Sequence, residues 1–124
     1  MMLDWNDYQQ QLVAEVAELG RITPGTVRGY RELSDAGSRK DLLGAKTREL
    51  IALAVAVTRQ CDGCITFHTT AALKQGATRD EIAEALGVAI AVNAGAALMY
   101  SARTMDAVAA KAAAEPAAAP ASES

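Results

Sequence analysis

The sequence predicts an all-α fold, a helical bundle of five to six helices with no β-sheet. Apolar residues recur three and four positions apart, Gly, Pro and Thr/Asp punctuation divides the chain into helix-length pieces, and no run alternates convincingly as a strand. Asp4 or Asn6 suits the cap of a first helix running to Glu18, with Leu12, Val16 and Leu19 on one face and Gly20 ending it. Thr23 and Pro24 restart the pattern as N-cap and first helical residue, and Val27, Tyr30 and Leu33 make an apolar stripe before Gly37. A third helix starts around Gly44 to Thr47 and reaches Thr58, and a fourth covers Asp62 to Gln75 after a tight turn at Arg59 and Gln60. Gly76 fits a left-handed C-terminal position, and Thr78-Arg79-Asp80-Glu81 is a capping box. The longest helix then runs from about Arg79 to about Val108, with Gly87 and Asn93 to Gly95 as its weakest stretches.

With 124 residues, 51% hydrophobic content and a net charge of -3, the chain is expected to form one soluble domain over residues 1–110. Residues 111–124, KAAAEPAAAPASES, form an Ala/Pro-rich tail that cannot build a core. The charges are scattered, so there is no basic stripe for nucleic acid. The N-terminus is acidic where an export signal is basic and then apolar, so a cytoplasmic protein is expected. In a reducing cytosol two cysteines three apart point to catalysis or metal rather than a permanent structural bridge. The segment from Ala85 to Tyr100 is short and rich in Ala and Gly and is interrupted by Asn93, so burial in protein is expected instead of a membrane span. Its small residues Gly87, Ala91, Gly95 and Ala96 suit either an intramolecular core or a subunit contact. Trp5, Tyr8 and Tyr30 read as core or interface anchors, and Phe67 as a packing residue or a pocket wall.

The chemistry concentrates in ELIALAVAVTRQCDGCITFH, from Glu49 to His68. It holds both cysteines, Cys61 and Cys64, the single histidine, His68, and Glu49 at the head of an uncharged run. Positions three and four apart share a helical face, so two thiols and an imidazole form one stripe. A thiolate is the reactive form, and both an imidazole and a helix N-terminus favour the charged sulfur. If the third and fourth helices form a hairpin, Glu49 and His68 lie about 15 and 12 Å from its turn at 1.5 Å per residue, so the two meet. Ile51, Leu53, Val55 and Val57 make the Glu49 helix apolar on nearly all sides, so it is expected to be buried, and a buried carboxylate requires a partner such as His68. Glu49 holding one ring nitrogen leaves the other free to exchange a proton with a thiol.

Cys61 twelve positions after Glu49, Cys64 three further on and His68 four beyond that resembles the motif of the alkylhydroperoxidase D branch of the carboxymuconolactone decarboxylase family. The likeness covers residues 20–110 and includes Leu43 to Glu49 and the Gly76-Ala77-Thr78 turn. The resemblance implies an alkylhydroperoxidase D-like helical bundle whose CxxC pair cycles between dithiol and disulfide while reducing hydroperoxides. By this likeness Cys64 attacks peroxide, Cys61 resolves, Glu49 and His68 relay the proton, and no cofactor is needed beyond an external thiol or lipoyl-type electron donor. On electrostatics alone the sulfur nearer the helix N-terminus, Cys61, is the alternative nucleophile. Members with strong peroxidase activity carry a second histidine directly before the second cysteine, a position held here by Gly63. Relatives of this length are commonly hexamers, while longer ones with two copies of the unit are trimers; no internal repeat is visible here.

Other readings of the same residues are a disulfide reductase or redox sensor with little peroxide turnover, a pair of merely structural cysteines, and a zinc site built from Cys61, Cys64, His68 and Glu49. A structural zinc more usually recruits a second CxxC or histidine pair, which the chain lacks. A thioredoxin-type CxxC needs alternating strands and helices. The lactone decarboxylase reaction normally uses other polar residues without CxxC.

Overall fold

The computed structural model describes residues 1–115, which contain five α-helices and no strand. These are α1 (Trp5–Ile22), α2 (Pro24–Lys40), α3 (Ala45–Arg59), α4 (Asp62–Lys74) and α5 (Arg79–Ala114). The chain forms two compact units, Met1–Ala89 and the stretch from Ile90 onward, and α5 runs through both. Most of the expected tail, residues 116–124, lies outside the described residues; Lys111 to Ala114 are the last turn of α5.

The carboxylate of Asp4 accepts the Asp7 N–H at 3.1 Å and starts α1. Gly20 does not end this helix, which continues to Ile22. A Cβ at Gly20 would sit in ordinary contact with Val27 of α2, 3.6 Å away, so the helix passes through this glycine at a propensity loss of only about 1 kcal/mol. What ends α1 is Thr23, whose φ of -131° is the extended backbone that the ring of Pro24 imposes on its predecessor. The Thr23 hydroxyl pairs with that of Thr26 at 2.8 Å and caps no backbone group. Likewise α2 passes Gly37 and ends at Lys40, with Asp41 left-handed at φ 49°. Its expected apolar stripe finds no core in this chain, because Tyr30 and Leu33 are exposed.

The largest helix contact is the α3/α4 hairpin. Leu53 from α3 and Ala72 from α4 form its core with Ala77, and Leu50 and Ile82 pack against them. Burying Leu53 contributes about 2 kcal/mol. The prediction that α3 is buried on nearly all sides fails, because Ile51 and Val55 are 49% and 55% exposed. Only the stripe facing α4, Leu53 and Ala56, is buried.

On its other side α4 receives α1. Thr66, 4% exposed, donates its hydroxyl toward the Trp5 carbonyl at 3.2 Å and Gln9 Oε1 at 3.1 Å. Gln9 Oε1 also accepts from the Thr70 hydroxyl at 2.9 Å.

The capping box forms as expected. Thr78 Oγ1 accepts the Glu81 N–H at 3.0 Å, and Glu81 Oε1 accepts the Thr78 N–H at 2.9 Å. Lys46 reaches Glu81 Oε2 at 2.7 Å, tying the first turn of α3 to that of α5. The Lys46 ammonium above all, helped by the Thr78 N–H, holds the Glu81 carboxyl below its ordinary pKa.

Beyond the capping box, α5 is largely exposed within the chain. Ala89 is its one buried residue among those described, and Val88, Ile90, Val92, Leu98, Met99, Tyr100, Met105 and Val108 are exposed. Among the described residues these apolar side chains are not covered. At 36 residues with a mean hydropathy of 1.8 over its most apolar window, α5 is long and apolar enough to cross a membrane by length and composition, so shortness is no argument against a span.

Candidate active site

The turn between α3 and α4 determines where the sulfurs stand. Gln60 is left-handed at φ 53°, its N–H reaches Val57 O at 3.2 Å, and the Cys61 N–H reaches Ala56 O at 3.1 Å. This crossed pair of bonds closes the end of α3 within two residues and aims the chain back along itself. Cys61 thereby becomes the N-cap of α4 in an extended conformation, φ -104°, and not a residue within the helix. Its Sγ accepts the Cys64 N–H at 3.1 Å, as a serine or aspartate oxygen does at an ordinary cap.

Cys61 and Cys64 are joined as a disulfide with their Cα atoms 5.2 Å apart. When the pair is reduced, the Cys64 N–H and the positive end of the α4 dipole favour negative charge on the Cys61 sulfur.

His68 stands one turn beyond Cys64 on α4, and Glu49 reaches it from the first turns of α3. Glu49 Oε2 and His68 Nδ1 are 2.7 Å apart, with the side chains 24% and 33% exposed. A carboxylate only accepts, so Nδ1 carries the hydrogen and Nε2 is left to take or give a proton. The hairpin thus forms two pairs from the four residues singled out from the sequence: Glu49 with His68 across the helices, and Cys61 with Cys64 at the N-terminus of α4. Among the described residues no group of three or more His, Cys, Asp and Glu side chains is arranged to hold a metal ion.

Gly63, between the cysteines, faces α1. A Cβ there would sit 3.0 Å from Leu12 Cδ1, tighter than ordinary van der Waals contact, so the Leu12 methyl of α1 must give way to admit a larger residue at 63. Sequence reasoning did not foresee this contact or the Gln9 to Thr66 and Thr70 bonds beside it. The visible signal was that Gly63, Thr66 and Thr70 are small or polar residues on one face of α4. Phe67 is partly exposed and lines neither of two clefts beside α1. Two shallow clefts border α1, one against α2 and one beside Thr70, and neither is lined by Glu49, Cys61, Cys64 or His68.

Comparison with known proteins agrees with this architecture. Residues 24–107 match the model of the carboxymuconolactone decarboxylase family. An uncharacterised protein of Haemophilus influenzae is 44% identical over 107 residues, 86% of this chain and 95% of the relative. Another from Cupriavidus necator is 31% identical, over 85% of this chain and 93% of its own length. A crystal structure of a carboxymuconolactone decarboxylase family protein from Legionella pneumophila, in its apo form, superimposes with a TM-score of 0.68 at 36% identity, covering 83% of this chain and 92% of that one. The chain belongs to the carboxymuconolactone decarboxylase family.

Proposed function

We propose that the protein is a thiol-dependent peroxidase that reduces small hydroperoxides through Cys61 and Cys64. The observation that carries this reading is the 2.7 Å contact between Glu49 and His68, which supports an imidazole one turn from a redox-active sulfur. In the reaction His68 Nε2 takes the Cys64 thiol proton, directly or through water, and the thiolate attacks the terminal peroxide oxygen. The S–O bond forms as the O–O bond breaks, and the departing alkoxide takes the proton from His68 to leave as an alcohol. The Cys61 thiol then attacks the Cys64 sulfenic acid: the S–S bond forms as the S–O bond breaks, and the thiol proton joins the leaving hydroxide to give water. A dithiol or lipoyl-type donor resets the pair by exchange, giving up two electrons and two protons and becoming a disulfide itself. The cysteines stay reducible in the cytoplasm, and the cycle uses no metal or organic cofactor. Neither nucleic acid nor a membrane takes part.

Assembly belongs to the same reading. The exposed apolar side chains of α5, interspersed with Gly87, Ala91, Gly95 and Ala96, are covered by other copies of the chain in a homohexamer, with a trimer as the alternative.

Gly63 favours a second reading, a disulfide reductase or redox sensor with the same cycle and little peroxide turnover, because only one imidazole serves the site. Peroxide consumption with dithiothreitol as donor separates the two. The peroxidase reading expects turnover in the wild type, none in Cys64→Ser and strong loss in His68→Ala. Unchanged activity in Cys64→Ser overturns the nucleophile assignment, and a reversible disulfide without wild-type turnover leaves the sensor.

A further inference from the structure

The cleft between α1 and α2 has a volume of about 450 Å³, within the range of small-ligand sites. Val16 and Ala17 of α1 and Val27 of α2 supply apolar lining, with Gly20 and Pro24 at one end. Arg21, Arg28 and Arg31 also line it. Arg21 is paired with Glu18, but Arg28 and Arg31, one helical turn apart, have no carboxylate partner among the described residues. A chain of net charge -3 therefore places two guanidiniums that form no ion pair among the described residues beside an apolar trough, with Glu32 and Asp35 each one turn further along α2. Guanidinium is planar, weakly hydrated and suited to paired hydrogen bonds with carboxylate or phosphate.

We propose that this cleft binds an organic anion with an apolar body, its headgroup held by Arg28 and Arg31 and its hydrocarbon laid along Val16, Ala17 and Val27. The site is separate from the disulfide, so its occupancy does not depend on the peroxidase reading.

Calorimetric titration of the full-length protein with sodium decanoate, decyl phosphate, decanol and inorganic phosphate, each below any micelle-forming concentration, tests the proposal. Saturable binding of decanoate or decyl phosphate, weakened about tenfold or more in the Arg28→Ala/Arg31→Ala double variant, supports it; the tighter of the two identifies the headgroup. Decanol and inorganic phosphate each bind more weakly than the anion that joins both features. If the double variant does not fold, Arg28→Gln and Arg31→Gln singly are expected to weaken binding in the same direction. Absence of saturable binding by both alkyl anions overturns the proposal. So does equal binding of decanol, or unchanged affinity in folded arginine variants. A change of oligomeric state without a change in affinity also overturns it, by making the arginines part of a subunit contact.

Discussion

Replacing Glu49 by Gln keeps the shape of the side chain but removes the charge that holds His68. The contact is 2.7 Å long and its side chains are 24% and 33% exposed. A charge-assisted hydrogen bond is worth about 1.5–3 kcal/mol when protected, and solvent screening at this exposure brings it toward the roughly 1 kcal/mol of surface pairs. An amide also permits either ring tautomer, so part of the population presents the wrong nitrogen. The expected result is a fall of about fivefold in the rate at which the reduced protein consumes cumene hydroperoxide. His68→Ala removes the proton acceptor itself and is expected to cost about 10²–10⁴. The two effects are not independent, because Glu49 acts only through His68. Adding Glu49→Gln to His68→Ala is expected to change nothing further. Quench-flow thiol counting on the four proteins, each checked for unchanged helicity, gives the cycle. If the fivefold loss persists in the His68→Ala background, or if Glu49→Gln alone leaves the rate unaltered, the relay is refuted.

Three other perturbations follow from the structure. Gly63→Ala places a methyl 3.0 Å from Leu12 Cδ1 and is expected to destabilise the chain by about 1 kcal/mol, whereas in a Leu12→Ala background it becomes neutral or stabilising; denaturant midpoints read the difference. Because the folded-state pKa of Glu81 is lowered, its contribution to stability is complete above the unfolded-state pKa and is lost as pH falls through the lowered value; Lys46→Met is expected to flatten the fall in melting temperature between about pH 5 and pH 3, and an unchanged slope contradicts the pairing. Val92→Glu with Met99→Glu, seven residues apart on one face of α5, is expected to convert a hexamer to smaller species in light scattering, and a wild type that is monomeric at micromolar concentration contradicts the assembly.

The Glu49 to His68 meeting was legible because it depends on arm lengths and a tight turn, and both follow from spacing and Arg59-Gln60. The capping box and the left-handed Gly76 were legible for a similar reason, since each is a short-range bond pattern with fixed residue types. Boundaries placed at Gly20 and Gly37 were misread. Both glycines admit a neighbouring side chain, Val27 and Arg48 respectively, and do not stop their helices. Exposure was the least legible property. Apolar residues throughout α3 and α5 show that water must be excluded somewhere, but periodicity does not say which partner excludes it, and Ile51, Val55 and Met99 remain open within one chain. The docking of α1 over Gly63 and Thr66 escaped notice because it joins segments some 50–60 residues apart through two hydroxyls, one side-chain amide, one backbone carbonyl and one leucine methyl.

The central claim is that Cys64, served by His68, is the sulfur that meets peroxide, with Cys61 completing the bond. Trapping sulfenic acid with dimedone after one equivalent of hydroperoxide, followed by mass spectrometry, tests it directly. The account predicts label on Cys64 in Cys61→Ser, faster than in Cys61→Ser/His68→Ala, and a Cys61 to Cys64 disulfide without label in the wild type. Label appearing on Cys61 in Cys64→Ser at the wild-type rate of peroxide consumption, with none on Cys64 in Cys61→Ser, contradicts it.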